Sequence, residues 1–294
     1  MGFESRMQKA FKDSLQLPLY PSSRYVIISD CHRGCGRAGD NFLHNECLYL
    51  AALKYYFQRG FTYIELGDGD ELWENRSMEC IKENHKQSFE ILSLFYAKKR
   101  LYTVYGNHDI VKKHTSFQGR YFSSFYCDKM LCNRPLYPDM EFYPGIVLHD
   151  TIKGYKIFLT HGHQADLLNS TFWRLSRFLV RYIWRPLENI GVPDPTSAAK
   201  NNKRKKKTEK KLTGWALKNK LILISGHTHH PMTGSKDSPY CNTGSCVHPA
   251  GITAVEIEKR TITLVKWAVN TKRDLTLFAS REILGNVASV DSFF

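Results

Sequence analysis

The sequence predicts an α/β fold built on a layered sheet, and three observations predict it. Apolar runs at residues 25–28, 63–66, 157–159 and 221–224, with a weaker one at 101–105, each lead into a short polar loop. Helical spacings separate the runs at 25–28, 63–66 and 101–105, so strand and helix alternate. Two further runs, 252–257 and 261–267, alternate like an antiparallel pair around a turn at 258–260.

In chain order, residues 1–23 read as a short amphipathic helix (Phe3, Met7, Ala10, Phe11, Leu15) and a proline-containing link. A strand at 25–29 then delivers Asp30 and His32. A helix over 41–59 places Leu43, Cys47, Leu50 and Phe57 on its apolar positions, with Gly60 as its stop. A strand at 61–66 delivers Asp68, and a second helix over about 81–98 precedes the strand that delivers Asn107 and His108. Runs at 146–149 and 155–160 lead into His161. The segment 164–220 breaks the alternation with a different composition, and the pair after residue 250 is expected to close a second sheet. No internal repeat is visible.

A chain of 294 residues can bury one substantial core. The polar loops run from Asp30 to His229, so a single domain over 1–294 is expected, with a core at 24–268 and a helical, basic insertion at 164–220. No stretch is apolar and long enough to span a bilayer, and the first residues lack a signal-peptide core. Met1-Gly2 begins a myristoylation pattern, but Arg6 stands where Ser or Thr is needed. The eight cysteines contain no C-x-x-C pair, which favours free thiols and a cytoplasmic location. The net charge is +14, concentrated between Lys200 and Lys220, where Glu209 is the one acidic residue. Such a block suits phosphate-rich partners, whether nucleic acid, anionic lipid or anionic substrate; the alternative is a solvated loop.

Five loops carry the chemistry: Asp30-Cys31-His32, Gly67-Asp68, Gly106-Asn107-His108-Asp109, His161-Gly162-His163 and Gly226-His227-Thr228-His229. Loops at one rim of a sheet can bring distant segments together. Mixed carboxylate and imidazole ligands suit Mn, Fe or Zn, with manganese the first expectation. Asp68 can bridge two cations with its two oxygens, Asn107 offers a carbonyl oxygen, and His161 an imidazole. A hydroxide bridging two metals roughly 3.5–4 Å apart can attack phosphorus in line. His108 is expected to face the leaving-group oxygen, with Asp109 holding its ring.

In this order the five loops resemble the pattern of calcineurin-like metallophosphoesterases: D-x-H, G-D, G-N-H-[DE], an H before Gly, and G-H-x-H. The resemblance covers about residues 24–268. It implies a β-sandwich flanked by helices and a dinuclear centre. One metal would take Asp30, His32, Asp68 and His229, and the other Asp68, Asn107, His161 and His227. His161, directly after its strand, matches the family ligand, and His163 would back it or face substrate. The run from Gly67 to Trp73 is also similar to the G-D-x-x-E-x-W run of UDP-2,3-diacylglucosamine hydrolases, which cleave a lipid-carrying pyrophosphate. That similarity implies a substrate contact for Trp73, the alternative being packing beneath the loop. Those hydrolases carry Arg where this chain has His108, the general family residue.

Within 164–220, Arg174, Arg177, Arg181 and Arg185 recur at helical spacing as a basic stripe. Leu168, Phe172, Leu175, Leu179 and Ile183 flank one side, and Trp173, Val180 and Trp184 the other, with Pro186 as the helix end. Such a helix fits a membrane surface or an acyl-chain cap, so Arg174, Arg177 and Arg181 are expected to meet substrate phosphates. The expected substrate is a phosphorylated small molecule or a lipid-linked or UDP-sugar-type compound. Peripheral contact with the inner membrane face is expected with it. A soluble phosphatase or phosphodiesterase with a helical lid is the alternative, and a non-catalytic scaffold on the same fold is an alternative of another class. Without a recognisable nucleic-acid module, a nucleic-acid substrate ranks below all lipid and small-molecule readings.

Overall fold

Successive side chains of a strand point to opposite faces, and in the central strands both faces are apolar, so these strands must be covered twice. In β2 (Arg24–Ile28), Tyr25 and Ile27 enter one core while Val26 and Ile28 enter another. In β9 (Lys156–Leu159), Ile157 and Leu159 join that first core, and Phe158 enters a third. The result, seen in a computed structural model describing residues 1–37, 39–127, 130–184 and 201–294, is two sheets face to face with helices outside each.

The larger sheet centres on β2, β3 (Thr62–Leu66) and β4 (Leu101–Val104), which run parallel in register from Tyr25↔Thr62 and Tyr63↔Leu101. The smaller sheet runs β1 (Leu15–Leu19), β8 (Ile146–Asp150), β9, β10 (Ile222–Ser225) and β11 (Tyr240–Asn242). Helices α2 (Glu46–Gln58) and α4 (Lys86–Ala97) cover the larger sheet through Tyr49, Leu53, Tyr56, Phe89 and Phe95. On the smaller sheet, α1 (Phe3–Lys12) and α8 (Asn202–Asn219) bring Met7, Leu212 and Trp215 against Phe158 and Leu223. The α/β fold of helix-flanked sheets expected from the sequence is therefore present.

Several elements differ from expectation for identifiable reasons. The proline-containing link holds a strand, β1, paired parallel to β8; it lies at the sheet edge, where Pro18 costs no ladder bond. The expected helix over 81–98 is two helices, α3 (Met78–Asn84) and α4, divided at His85. That imidazole is bound by Asp40 at 2.8 Å and Glu46 at 3.2 Å. The antiparallel pair β12 (Ile252–Glu258) and β13 (Thr261–Thr271) exists in the expected register, but it does not close a second sheet. β12 pairs antiparallel with β2 and so widens the first sheet. The hairpin of β5 (Ser124–Cys127) and β6 (Cys132–Pro135), and the strand β14 (Leu277–Ile283), had no counterpart in the sequence reading.

Between β9 and β10 the basic segment is not one continuous helix. It forms α6 (Leu167–Ser170), then α7 (Trp173–Leu179) running into a π-helical turn (Val180–Trp184), and finally α8. Arg185, Pro186 and Lys200 lie outside the described residues. From residue 202 the lysine-rich block is helix rather than loop, because Thr208, Glu209, Leu212, Trp215 and Ala216 give it a buried face. No helix among the described residues is long and apolar enough to cross a membrane.

Candidate metal centre

The loops after β2, β3, β4, β9 and β10 meet at one rim, as the sequence required. Backbone bonds lace them: Asp30 N to Gly67 O (3.0 Å), His32 N to Asp68 O (2.9 Å) and Gly226 N to His161 O (3.1 Å). Asp30, His32, Asp68, His227 and His229 all have left-handed backbone, with φ between 48° and 66°. Non-glycine residues avoid that region, and its concentration here is the kind of strain found at functional sites. Gly106 and Gly226 are needed for close approach, since a Cβ on either would run into the Asp68 or Asp30 carboxylate.

The ligand atoms face one another. His229 Nε2 lies 3.1 Å from Asp30 Oδ1 and 3.3 Å from His32 Nε2. His161 Nε2 lies 3.0 Å from Asp68 Oδ2 and 3.9 Å from Asp30 Oδ1. Asp30, His32 and His229 form one ligand cluster, and Asp68, His161 and His227 another. Asp30 Oδ1, Asn107 Oδ1, His161 Nε2 and His227 Nε2 are buried without a hydrogen-bond partner. Buried polar atoms are rarely left unpaired, and those of Asp30, His161 and His227 lie within the two neighbouring ligand clusters, which fits a cation site. The opposite edges are already fixed: His161 Nδ1 donates to Leu66 O at 2.9 Å, and His32 Nδ1 bonds Glu71 at 2.8 Å. This leaves Nε2 of each ring for metal, the arrangement that orients imidazole ligands.

Burial opposes the charged ring of His161, but Asp68 and Asp30 outweigh it and push its pKa up to about 9. Burial opposes ionisation of Asp30 as well, yet His229 and His161 hold it below the usual carboxylate range. Burial and the neighbouring His161 press His227 down to about 4, keeping that ring neutral and ready to ligate.

His108 is held differently from expectation. Asp109 does not reach its ring: the Asp109 carboxylate accepts from Gly106 N (2.7 Å), Gly69 N (3.0 Å) and Lys112 Nζ (2.7 Å). The ring is instead bonded at Nδ1 by Glu71 at 2.8 Å and stacked on Trp73 at 4.2 Å. Glu71 thus holds both His108 and His32. The run after Asp68 signalled this through Glu71, but nothing in sequence spacing tied it to either histidine. Beneath these loops lies a buried ion network that sequence reading missed. Arg33 bonds Glu65 (2.8 Å) and Asp70 (2.7 Å), and Lys112 bonds Asp70 (2.6 Å) and Asp109 (2.7 Å). It pins the loops after β2, β3 and β4 to one another.

The expected substrate residues fall into two groups. Trp73 is 3% exposed and lies under His108, which is the packing reading. Arg181 turns inward, donating to Trp73 O and Leu72 O at 2.7 Å each, and so clamps the loop after Asp68 instead of offering its guanidinium to a phosphate. Arg174 is exposed and Arg177 half-buried, both over the Trp173 ring. His163 is buried, and its Nδ1 has no partner. The face of α7 that meets the protein is Ser176 and Val180; Phe172, Leu175, Phe178, Tyr182 and Ile183 stand exposed. The cysteines are free thiols, as expected, with Cys31 and Cys246 buried 3.6 Å apart.

Among solved structures, a predicted phosphoesterase of Streptococcus pneumoniae TIGR4 is 16% identical, covering 89% of this chain and 98% of its own, at a TM-score of 0.34. Vps29 of Chaetomium thermophilum is 12% identical over 90% of this chain and 97% of its own, at 0.40. A cold-active protein tyrosine phosphatase is 14% identical over 92% and 82%, at 0.40. Likenesses this low add nothing to the assignment. No curated protein matches the chain. The family model for calcineurin-like phosphoesterases, however, matches residues 23–231, the span that delivers every ligand loop. The chain belongs to the calcineurin-like phosphoesterase family, whose chemistry is metal-dependent hydrolysis of phosphoric esters.

Proposed function

We propose that this chain hydrolyses phosphoric esters or anhydrides with two divalent cations, manganese first and iron or zinc as alternatives. Asp30, His32, Asp68 and His229 would hold one, and Asp68, Asn107, His161 and His227 the other. The observation that carries this reading is the set of orphaned ligand atoms of Asp30, His161 and His227, which come from separate loops into the two ligand clusters. Bound there, the cations supply an acidified water and a polarised phosphoryl oxygen. His108 does the proton work at the leaving group: Glu71 occupies Nδ1, so Nε2 is the edge free to donate. Glu71 and Asp68 outweigh burial and raise the pKa of that ring, which favours the donating form. Trp73 fixes the ring plane. Asp109 acts through the backbone of Gly69 and Gly106, keeping Asp68 and Asn107 in place.

The substrate reading favoured here is lipid-linked, met at the cytoplasmic face of a membrane. It is supported by the exposed apolar side chains of α7, which Arg181 ties to the loop that starts at Asp68. Arg174 and His163 are its candidate substrate contacts. With Trp73 buried, the resemblance to UDP-2,3-diacylglucosamine hydrolases rests on the loop pattern alone, and a soluble phosphatase is the second reading. The complete ligand set argues against a scaffold.

Hydrolysis of an aryl phosphomonoester, an aryl phosphodiester and a UDP-linked acyl-sugar by the manganese-loaded protein tests the proposal, with Asp68→Ala as control. Activity lost in the control is expected, and preference for the acyl-sugar would support the lipid reading. Activity indifferent to Asp68 would overturn the proposal. Replacing Phe172, Leu175 and Phe178 by Ser should reduce flotation with anionic vesicles while leaving aryl ester hydrolysis intact; unchanged flotation would remove the membrane contact.

A further inference from the structure

The lysine-rich helix α8 has one acidic residue, and that residue is turned inward. Asn201 caps the helix through Lys203 N and Arg204 N, which fixes where it starts. Leu212, Trp215 and Ala216 then seat it on the smaller sheet, with Trp215 5.6 Å from Phe158. In this register Glu209 falls on the buried face, its side chain 11% exposed, directly behind the loop after β10. Its Oε1 accepts from Thr228 Oγ1 at 2.9 Å and from His230 Nδ1 at 3.1 Å. Thr228 stands between the two candidate ligands His227 and His229 and is fully buried. Having donated to Glu209, the Thr228 hydroxyl accepts from Asn242 Nδ2 at 3.1 Å, and the same amide donates to Gly226 O at 2.7 Å.

We infer that Glu209 is a positioning residue for the metal centre, setting the left-handed turn through which His227 and His229 present their Nε2 atoms. The inference rests on the dinuclear reading above. A loop with φ of 66° at His227 and 53° at His229 does not hold that shape by local preference and needs fixed partners. Asn242 supplies one from the sheet side and Glu209 the other from the helix side. Groups that orient metal ligands at one remove typically change metal affinity by about 10–100-fold when removed. Burial of a carboxylate in so cationic a helix is otherwise unexplained by packing, which Leu212 and Trp215 already provide.

The test is calorimetric titration of the metal-free protein with manganese, with thermal melts of the same metal-free samples. Glu209→Ala is expected to weaken binding by about 10-fold or more. Glu209→Gln should stay near wild type, because both hydrogen bonds go to one oxygen that the amide retains. Thr228→Val deletes the other end of the contact without loss of volume and should weaken binding as Glu209→Ala does, which keeps the test open should the alanine variant not fold. Lys210→Ala, on the exposed face, should change nothing. Glu209→Ala binding manganese like wild type would overturn the inference, and so would Glu209→Gln falling as far as Glu209→Ala, since bulk charge would then be the cause. A wild-type protein that binds none of manganese, iron(II) or zinc in the same titration would instead remove the dinuclear reading on which the inference stands.

Discussion

Left-handed backbone at five of the seven candidate ligands costs about 1–3 kcal/mol each, so these residues are held by their surroundings rather than by preference. Glu71 is the residue on which most converges, because its two oxygens serve His32 and His108 together. His108→Ala should lower kcat by about 100-fold or more while manganese affinity stays put. Glu71→Ala should lower kcat and also weaken manganese binding, through the loosened His32 ring. Steady-state kinetics with a parallel metal titration separate the two; equal losses of affinity in both variants would contradict the assignment. The gathering of the candidate ligands at one rim was legible, because each loop carries its possible donors beside the strand end that presents it. The support around His108 was not. Asp109 adjoins His108 in sequence, but neighbours in a tight loop point apart, and Glu71 reaches His108 because β3 and β4 are paired.

The same division holds for elements. Strands β2, β3, β9 and β10 were readable from apolar runs, since both faces are buried and nearly every position is apolar, Glu65 of β3 being held by Arg33. β1 was not, because its proline and short length look like a link until β8 is there to pair with. Sheet membership of β12 was equally invisible: its alternation specifies a strand, while the partner is fixed by contact with β2. Helix α8 shows that a lysine-rich composition hides a packing face when few positions are apolar. Trp215→Ala should cost about 3–5 kcal/mol in urea unfolding, as expected for a large buried aromatic. A cost under about 1 kcal/mol would mean that α8 is not seated as described.

Across the whole molecule, two linkages make stability depend on conditions. His85 is buried between Asp40 and Glu46, and these carboxylates overcome burial to raise its pKa to about 9 from an ordinary 6.5. A raised histidine stabilises fully below its unfolded pKa and loses that contribution as pH climbs through the folded value. Stability should therefore fall between pH 7 and 9 by up to about 1.4 kcal/mol per pH unit from this group. Urea unfolding of wild type and His85→Gln at pH 7 and 9.5 checks it: the gap between them should narrow at high pH. Cations bound only by the folded form add about 2.7 kcal/mol at a hundredfold excess over Kd, so a chelator should lower Tm by a few degrees. The most direct test of the central claim is the number of manganese ions bound per chain, measured by equilibrium titration of metal-free protein. The account predicts two for wild type, with binding at both positions impaired by Asp68→Ala; one ion or none in wild type would contradict it.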